Sequence, residues 1–229
     1  MQSISLIPDQ AYIDPTHFAW TKQLENCAAE IYAEYDLLRK SGEPIPPFQE
    51  VSKEQGAITN DSEWKTFLLY AYGAKSLRNT AICPNTTRAI EAIPEMRTAF
   101  FSILAPGKII PPHRGPYKGL VRCHLALKIP DGDCGLRVRG EESKWISGKC
   151  LFFDDTLTHE AWNKTNDERV VLFLDVLRPL KKPFGKWNDR LIYWIASSGY
   201  GRRSIQTFRD WYARHGITND ATIPRRNKP

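Results

Sequence analysis

"LVRCHLALKIPDGD", residues 120–133, decides the fold. Side chains along an extended chain point alternately to opposite faces. Val121, Cys123, Leu125, Leu127 and Ile129 therefore fall on one side, and Arg122, His124, Ala126 and Lys128 on the other. Pro130 and the Asp-Gly pair that follows end the run as a turn would. Arg122 and His124 share a face, which is either solvent or the polar interior of a barrel mouth. The runs around this strand have the same texture: "TAFFSILAPG" (98–107), "GLRVRGEESKWISGK" (135–149), "CLFFDDTLTHEAWN" (150–163) and "ERVVLFLDVLRP" (168–179). Short apolar segments separated by Gly and Pro turns predict an antiparallel sandwich or barrel.

Helical patterns flank this region. "DPTHFAWTKQLENCAAEIYAEYDLLRKSG" (14–42) reads as one helix, with Asp14 and Pro15 opening it and Gly42 closing it after Arg39 and Lys40. Pro44, Pro46 and Pro47 break the pattern. "WKTFLLYAYG" (64–73) reads as an aromatic strand and "NTTRAIEAIPE" (85–95) as a short helix stopped at Pro94. Beyond Pro179 the chain turns helical again. Trp187, Leu191, Trp194 and Ile195 form a stripe with Lys186 and Arg190 beside it. Packing of that stripe against the barrel is the favoured expectation, and contact with an anionic membrane face is the alternative. The chain thus divides into one domain over 1–180, with a helical N-terminal region over 1–95 and a strand-rich core over 96–180, followed by a basic helical extension over 181–229.

The 229 residues are 41% hydrophobic and 25% charged, an ordinary globular balance. No apolar run reaches the roughly 18 residues a membrane span needs, and no signal-peptide pattern opens the chain, so a cytoplasmic protein is expected, peripheral to a membrane if the tail binds one. Cys27, Cys83, Cys123, Cys134 and Cys150 include no C-x-x-C pair and read as reduced, mostly buried thiols. The net charge of +6 is uneven: twelve Lys or Arg against three Asp give +9 from Arg178 onward and leave −3 before it. With a pI near 9.0 but no recognition-helix pattern, a nucleic-acid partner is not expected.

Of five histidines, His17 and His215 sit in helical patterns typical of surface positions, while His113, His124 and His159 lie in the strand-rich region, the first and last read as standing at strand entrances. Two imidazoles without a third strong ligand are a poor zinc site, and they suit Fe(II) completed by a chelating cosubstrate. Arg169 heads the apolar strand "RVVLFLDV" and needs an anion, which a dicarboxylate would supply.

In "FSILAPG", "HRGP", "VRCHLALKIPDGDCGLRVRGEESKWISGK", "LFFDDTLTHEAWN" and "RVVLFLDVLRP", in that order, the sequence resembles the aspartyl/asparaginyl β-hydroxylases, Fe(II)- and 2-oxoglutarate-dependent oxygenases. The resemblance covers most of residues 15–180. It implies a mostly β chain with flanking helices around a double-stranded β-helix, a cupin-like jelly roll. It implies His113 and His159 as iron ligands, Arg169 with Ser102 on the distal carboxylate of 2-oxoglutarate, and Arg122 with His124 near its iron-chelating end. Where many iron oxygenases read His-x-Asp, this chain reads His113-Arg114-Gly115, and the resemblance puts solvent in place of the missing carboxylate, hydrogen-bonded by Asp155. O2 is the other cosubstrate. The implied reaction hydroxylates an unactivated C–H. The β-carbon of an aspartyl or asparaginyl residue or a related amino acid is the first expectation, and a lipid acyl chain, of the lipid A or ornithine lipid type, the alternative. The substrate is thus a small molecule, a peptide or a lipid. A non-catalytic barrel that binds an anion is the reading from another class. The tail is similar to that of the lipid A hydroxylases.

Overall fold

The protein is described from a computed structural model over residues 4–52 and 58–222. In chain order the elements are β1 (Tyr12–Ile13), a 3-10 turn (Pro15–His17), α1 (Thr21–Asn26), α2 (Ala28–Lys40), α3 (Phe48–Val51), β2 (Trp64–Ala71), β3 (Ala74–Ser76), α4 (Leu77–Ile82) and α5 (Pro84–Glu91). Then come β4 (Met96–Leu104), β5 (Ile109–His113), β6 (Leu120–Lys128), β7 (Cys134–Val138), β8 (Glu141–Ser143), β9 (Cys150–Phe153), β10 (His159–Asn163) and β11 (Arg169–Leu177). The chain ends in α6 (Phe184–Ser197), α7 (Gly199–Arg214) and β12 (Ala221–Thr222). The last stretch of the basic extension, 223–229, lies outside the described residues.

An eight-stranded sheet, β1-β9-β6-β11-β4-β2-β3-β12, faces a four-stranded sheet, β5-β10-β7-β8. Every pairing is antiparallel. The alternation of β6 shows why the large sheet is apolar on one side and mixed on the other. Val121, Cys123 and Leu125 pack outward with Leu172 and Leu174 of β11 against Leu24, Ile31, Tyr35 and Leu38 of α1 and α2. Inward, Ala126, Leu104 and Val171 meet Ile110, Leu136, Val138 and Ala161 of the small sheet. Each such aliphatic side chain contributes about 1.5–3 kcal/mol on burial. Both faces of β6 are covered, so the face bearing Arg122 and His124 is the barrel interior.

The single helix expected over 14–42 is broken. Asp14 caps only the 3-10 turn, its carboxylate accepting from the Thr16 amide at 2.8 Å. Phe18 then leaves helical backbone and lays its ring on Phe152, centroids 4.4 Å apart. This stacking on the sheet outweighs the local periodicity. Cys83, Cys123, Cys134 and Cys150 are buried thiols, and Cys27 is partly buried.

The C-terminal helices attach at two places. Phe208, Trp211 and Tyr212 of α7 pack on Val51, Phe48 and Leu68, and β12 pairs with β3 through Ala221 and Ser76. In α6 the buried positions are Asn188, Ile192 and Ala196, with Ile192 against Leu120 and Leu177. The face that packs is therefore not the one the tryptophans mark. Trp187, Leu191 and Trp194 are exposed, because the contact is made by smaller residues around an asparagine hydrogen-bonded to the barrel. Among the described residues no helix is long and apolar enough to cross a membrane.

Candidate active site

Antiparallel pairing of β5 with β10 sets His113 directly opposite His159. Their ring centroids are 4.1 Å apart. His159 opens its strand as expected, but His113 closes β5 rather than opening one. The ring nitrogen Nδ1 of His113 lies 2.8 Å from the Pro111 carbonyl, and that of His159 2.9 Å from the Leu157 carbonyl. A carbonyl only accepts, so each Nδ1 carries the proton and each Nε2 keeps a lone pair. Burial holds both imidazoles below their ordinary range. Neighbouring His113 and Arg122 add to the effect on His159, which falls to about 3. Both are neutral at neutral pH, the form a metal needs.

His124 is arranged oppositely. Trp145 donates from Nε1 to Nδ1 of His124 at 3.3 Å, so the proton of the neutral ring is on Nε2. That Nε2 is buried without a hydrogen-bond partner among the described residues. Burial first, then the charges of Arg169 and Arg122, keep the ring well below its usual pKa. Phe153 links this histidine to His159, its ring edge-on to His124 at 5.1 Å and to His159 at 5.5 Å.

Arg169 is 1% exposed. Its Nη1 donates to the Ser102 carbonyl at 3.2 Å and to the Ser102 hydroxyl at 3.3 Å, and its guanidinium lies 4.9 Å from the Trp145 ring centroid. No carboxylate pairs with it among the described residues, and Nε is buried without a partner. Burial lowers its pKa to about 10, so the charge remains at neutral pH. The Ser102 hydroxyl also accepts from Trp64 Nε1 at 3.0 Å, which leaves its own proton free to donate.

Arg122 faces the same interior but does not stand free. It meets Asp155 at 2.9 Å and Asp175, its register partner on β11, at 3.0 Å, with its guanidinium 4.3 Å from the Phe173 ring centroid. Burial acts to lower its pKa, but the two carboxylates hold it above the ordinary value. Asp155 is raised to about 6 by burial and by Asp175 and Asp154, against the pull of Arg122. The room expected beside Gly115 is filled. A Cβ there would stand 1.9 Å from Asp155 Oδ2, and the Gly115 amide donates to the Asp155 carbonyl at 2.7 Å. The Asp155 carboxylate thus lies against Gly115, and its Oδ1 is buried without a hydrogen-bond partner among the described residues.

Asp154 turns away from this cluster to bind Arg178 at 2.6 Å and Lys118 at 3.2 Å. His17 and His215 are exposed. Sequence reasoning missed Asp175, although it shares the β11 face of Arg169 by period 2. It also missed Trp64 and Trp145. Trp145 lies in a loop with no period, so no local signal marks it. Among the described residues no group of three or more His, Cys, Asp or Glu is arranged to hold a metal ion.

The family model for aspartyl/asparaginyl beta-hydroxylase matches residues 25–179. The chain belongs to this family. It is 40% identical over 202 residues to an ornithine lipid ester-linked acyl 2-hydroxylase of Rhizobium tropici, covering 86% of this chain and 71% of that one. It is 36% identical to the human aspartate beta-hydroxylase domain-containing protein 2, over 68% of this chain and 44% of the relative. To the human aspartyl/asparaginyl beta-hydroxylase it is 32% identical, over 57% and 18%. The chain thus spans less than half of the animal relatives' length. Among solved structures, a Pseudomonas putida prolyl-4-hydroxylase aligns with 67% of this chain and 88% of its own at 16% identity, TM-score 0.46. The hydroxylase family and the cupin-like jelly-roll architecture of mostly β structure with flanking helices agree with the expectations from sequence.

Proposed function

We propose that this protein is an Fe(II)- and 2-oxoglutarate-dependent hydroxylase of lipid acyl chains. The observation that carries the reaction class is the juxtaposition of two carbonyl-anchored histidines, each with a free Nε2 lone pair, and a buried Arg169 without a carboxylate. His113 and His159 fit an iron that takes its remaining ligands from outside the protein. Their hydrogen bonds to backbone carbonyls fix the tautomer and the ring orientation. Arg169 Nε and the Ser102 hydroxyl fit the distal carboxylate of a dicarboxylate, because an unpartnered buried guanidinium is stabilised by such an anion. The Nε2–H of His124 is a second orphan donor for the same molecule. Asp155 Oδ1 is an acceptor fit to hold a water beside His113 and His159.

With Fe(II) bound, the chemistry supplied converts R–H, O2 and 2-oxoglutarate to R–OH, succinate and CO2. The protein's own contribution is to hold 2-oxoglutarate between Arg169 and His124, keep both ligand imidazoles unprotonated and exclude water with Phe153, Trp145 and Trp64. A non-catalytic anion-binding barrel would need Arg169 alone and gives no reason for two carbonyl-anchored imidazoles to lie 4.1 Å apart.

For the substrate, the Rhizobium relative matches far more of this chain than the human aspartyl/asparaginyl enzyme does, and it carries the name of a lipid acyl hydroxylase. The β-carbon of an aspartyl or asparaginyl residue, first in expectation from sequence, is supported by the family description and by the names of the animal relatives, which cover less of this chain than the Rhizobium protein does. Anaerobic titration with Fe(II) and 2-oxoglutarate tests the reaction class. A metal-to-ligand absorption band is expected in the wild type and not in His159→Ala, and its absence from the wild type would overturn the reading. Succinate release stimulated by ornithine lipids or lipid A, and not by acidic peptides, is the expected substrate result.

A further inference from the structure

Helix α6 presents a face that its own fold does not use. At 100° per residue its buried positions Asn188, Ile192 and Ala196 centre about 140° away from Trp187, with Trp194 and Leu191 on the Trp187 side. Trp187 is 56% exposed, Trp194 67% and Leu191 40%. Of the seven tryptophans in the chain only these two are exposed. The other large exposed apolar residues, such as Leu37, Leu77 and Ile146, lie on separate elements or loops.

Charge surrounds this face on the appropriate side. Lys182, Lys186 and Arg190 are exposed beside the tryptophans, and Arg202 and Arg203 follow at the start of α7. From Lys181 to Arg203 the chain carries six basic residues and one acid, Asp189, which is itself bonded to Arg97. Tryptophan sits at a membrane interface because its ring is apolar and its N–H polar, and basic residues beside it are drawn to anionic headgroups. Fourteen residues span about 21 Å, too short to cross a bilayer and suited to lying along one.

The inner side of α6 is fastened to the candidate site. Asn188 donates to the Gly119 carbonyl at 2.7 Å and accepts from the Tyr117 hydroxyl, and a Cβ on Gly119 would stand 2.2 Å from Asn188 Oδ1. Residues 117–119 belong to the segment that leads from His113 to β6.

We propose that the Trp187–Leu191–Trp194 face of α6 is an interfacial docking surface for an anionic phospholipid membrane, held one segment away from His113 so that a lipid substrate reaches the barrel without leaving the bilayer. The purpose rests on the lipid reading of the substrate, whereas the docking is tested without it. Co-sedimentation of the full chain is measured with vesicles of phosphatidylcholine alone and of equal parts phosphatidylcholine and phosphatidylglycerol, in wild type, in Trp187→Ser/Trp194→Ser and in Lys182→Gln/Lys186→Gln/Arg190→Gln. The wild type binds the anionic vesicles, with a blue shift of tryptophan fluorescence and a loss of affinity in salt. The charge variant loses on the order of a hundredfold in affinity for anionic vesicles, and the tryptophan variant at least roughly tenfold on the same vesicles. Equal binding by wild type and the tryptophan variant, or no binding by the wild type, overturns the proposal. So does a wild-type dimer that the tryptophan substitutions dissolve, since a second copy would then be the occupant. Succinate formation without vesicles or lipid substrate is unchanged in both variants. Its absence from the wild type would instead count against the hydroxylase reading.

Discussion

Two arginines on one face of the large sheet are treated in opposite ways. At one end, Arg122 is held between Asp155 and Asp175 and lies over Phe173. At the other, Arg169 is deeper, lies against Trp145, and among the described residues donates to Ser102 alone. A buried guanidinium without an anion costs several kcal/mol. The charge of Arg122 is balanced within the chain by Asp155 and Asp175, and the Asp155 pairing ties β6 to the segment that lies against Gly115. The Arg169 end has no carboxylate among the described residues, and the anion we propose for it would come from outside. The difference separates an arginine neutralised within the fold from one proposed to take an outside anion, although both read in sequence as an arginine on a strand.

The largest effect is expected where the comparison is sharpest. Arg169→Met removes the charge and keeps the length. Isothermal titration should show 2-oxoglutarate affinity falling by more than about a hundredfold. The ligand-free protein should melt at the same temperature or higher, because an unpaired buried charge is gone. A variant that binds 2-oxoglutarate as wild type does would end the distinction between the two arginines.

Asp175→Ala should do the reverse. Arg122 keeps Asp155 and loses its second carboxylate, so urea denaturation should show a loss of about 2 kcal/mol, below the roughly 3–5 kcal/mol of a fully broken buried pair. Affinity for 2-oxoglutarate should change far less than in Arg169→Met.

The metal-free protein should also lose stability in acid. His113, His124 and His159 have folded pKa values below the unfolded value near 6.5, so the unfolded chain binds more protons as the pH falls. Their contribution is complete above about pH 6.5 and declines as the pH drops towards the folded values, by up to about 1.4 kcal/mol per pH unit for each histidine. Asp155 opposes this slope. Its raised pKa favours the folded state at low pH, and that contribution is lost as the pH rises from about 4 to about 6. Urea midpoints across pH should therefore fall less steeply in His124→Gln than in wild type, and equal slopes would mean that His124 is not held neutral.

The smallest effect belongs to Trp64→Phe, which removes the N–H donated to Ser102 and leaves Arg169 in place. About 1 kcal/mol, or roughly a fivefold rise in the KM for 2-oxoglutarate, is expected. No change would show that Ser102 is oriented by Arg169 alone.

Much of this site is legible in the sequence. The period of residues 121–129 puts Arg122 with His124, and the apolar run after Arg169 marks that residue as a guanidinium in need of an anion. Asp175 follows the same period, but a carboxylate near a strand end reads as exposed and is passed over. Trp145 is not legible, since a loop has no period to fix its direction. The stripe on α6 is visible as a pattern, but a helical period states which residues share a face and not whether that face is covered. The tryptophans mark the outer side because Asn188, Ile192 and Ala196 fit the barrel more closely.

The amino-acid order settled what is local: strand alternation, the turns between strands and the presence of three histidines and Arg169 in the strand-rich region. These follow from backbone geometry that repeats every two or 3.6 residues. Which charges are already neutralised is fixed by the packed fold. Whether Arg122 meets Asp155 and Asp175, whether Arg169 meets Ser102 and no carboxylate, and whether Asp155 fills the space above Gly115 depend on segments up to 67 residues apart being brought into register. Pairing across a barrel depends on how the strands align, and the order of residues along one strand does not contain it.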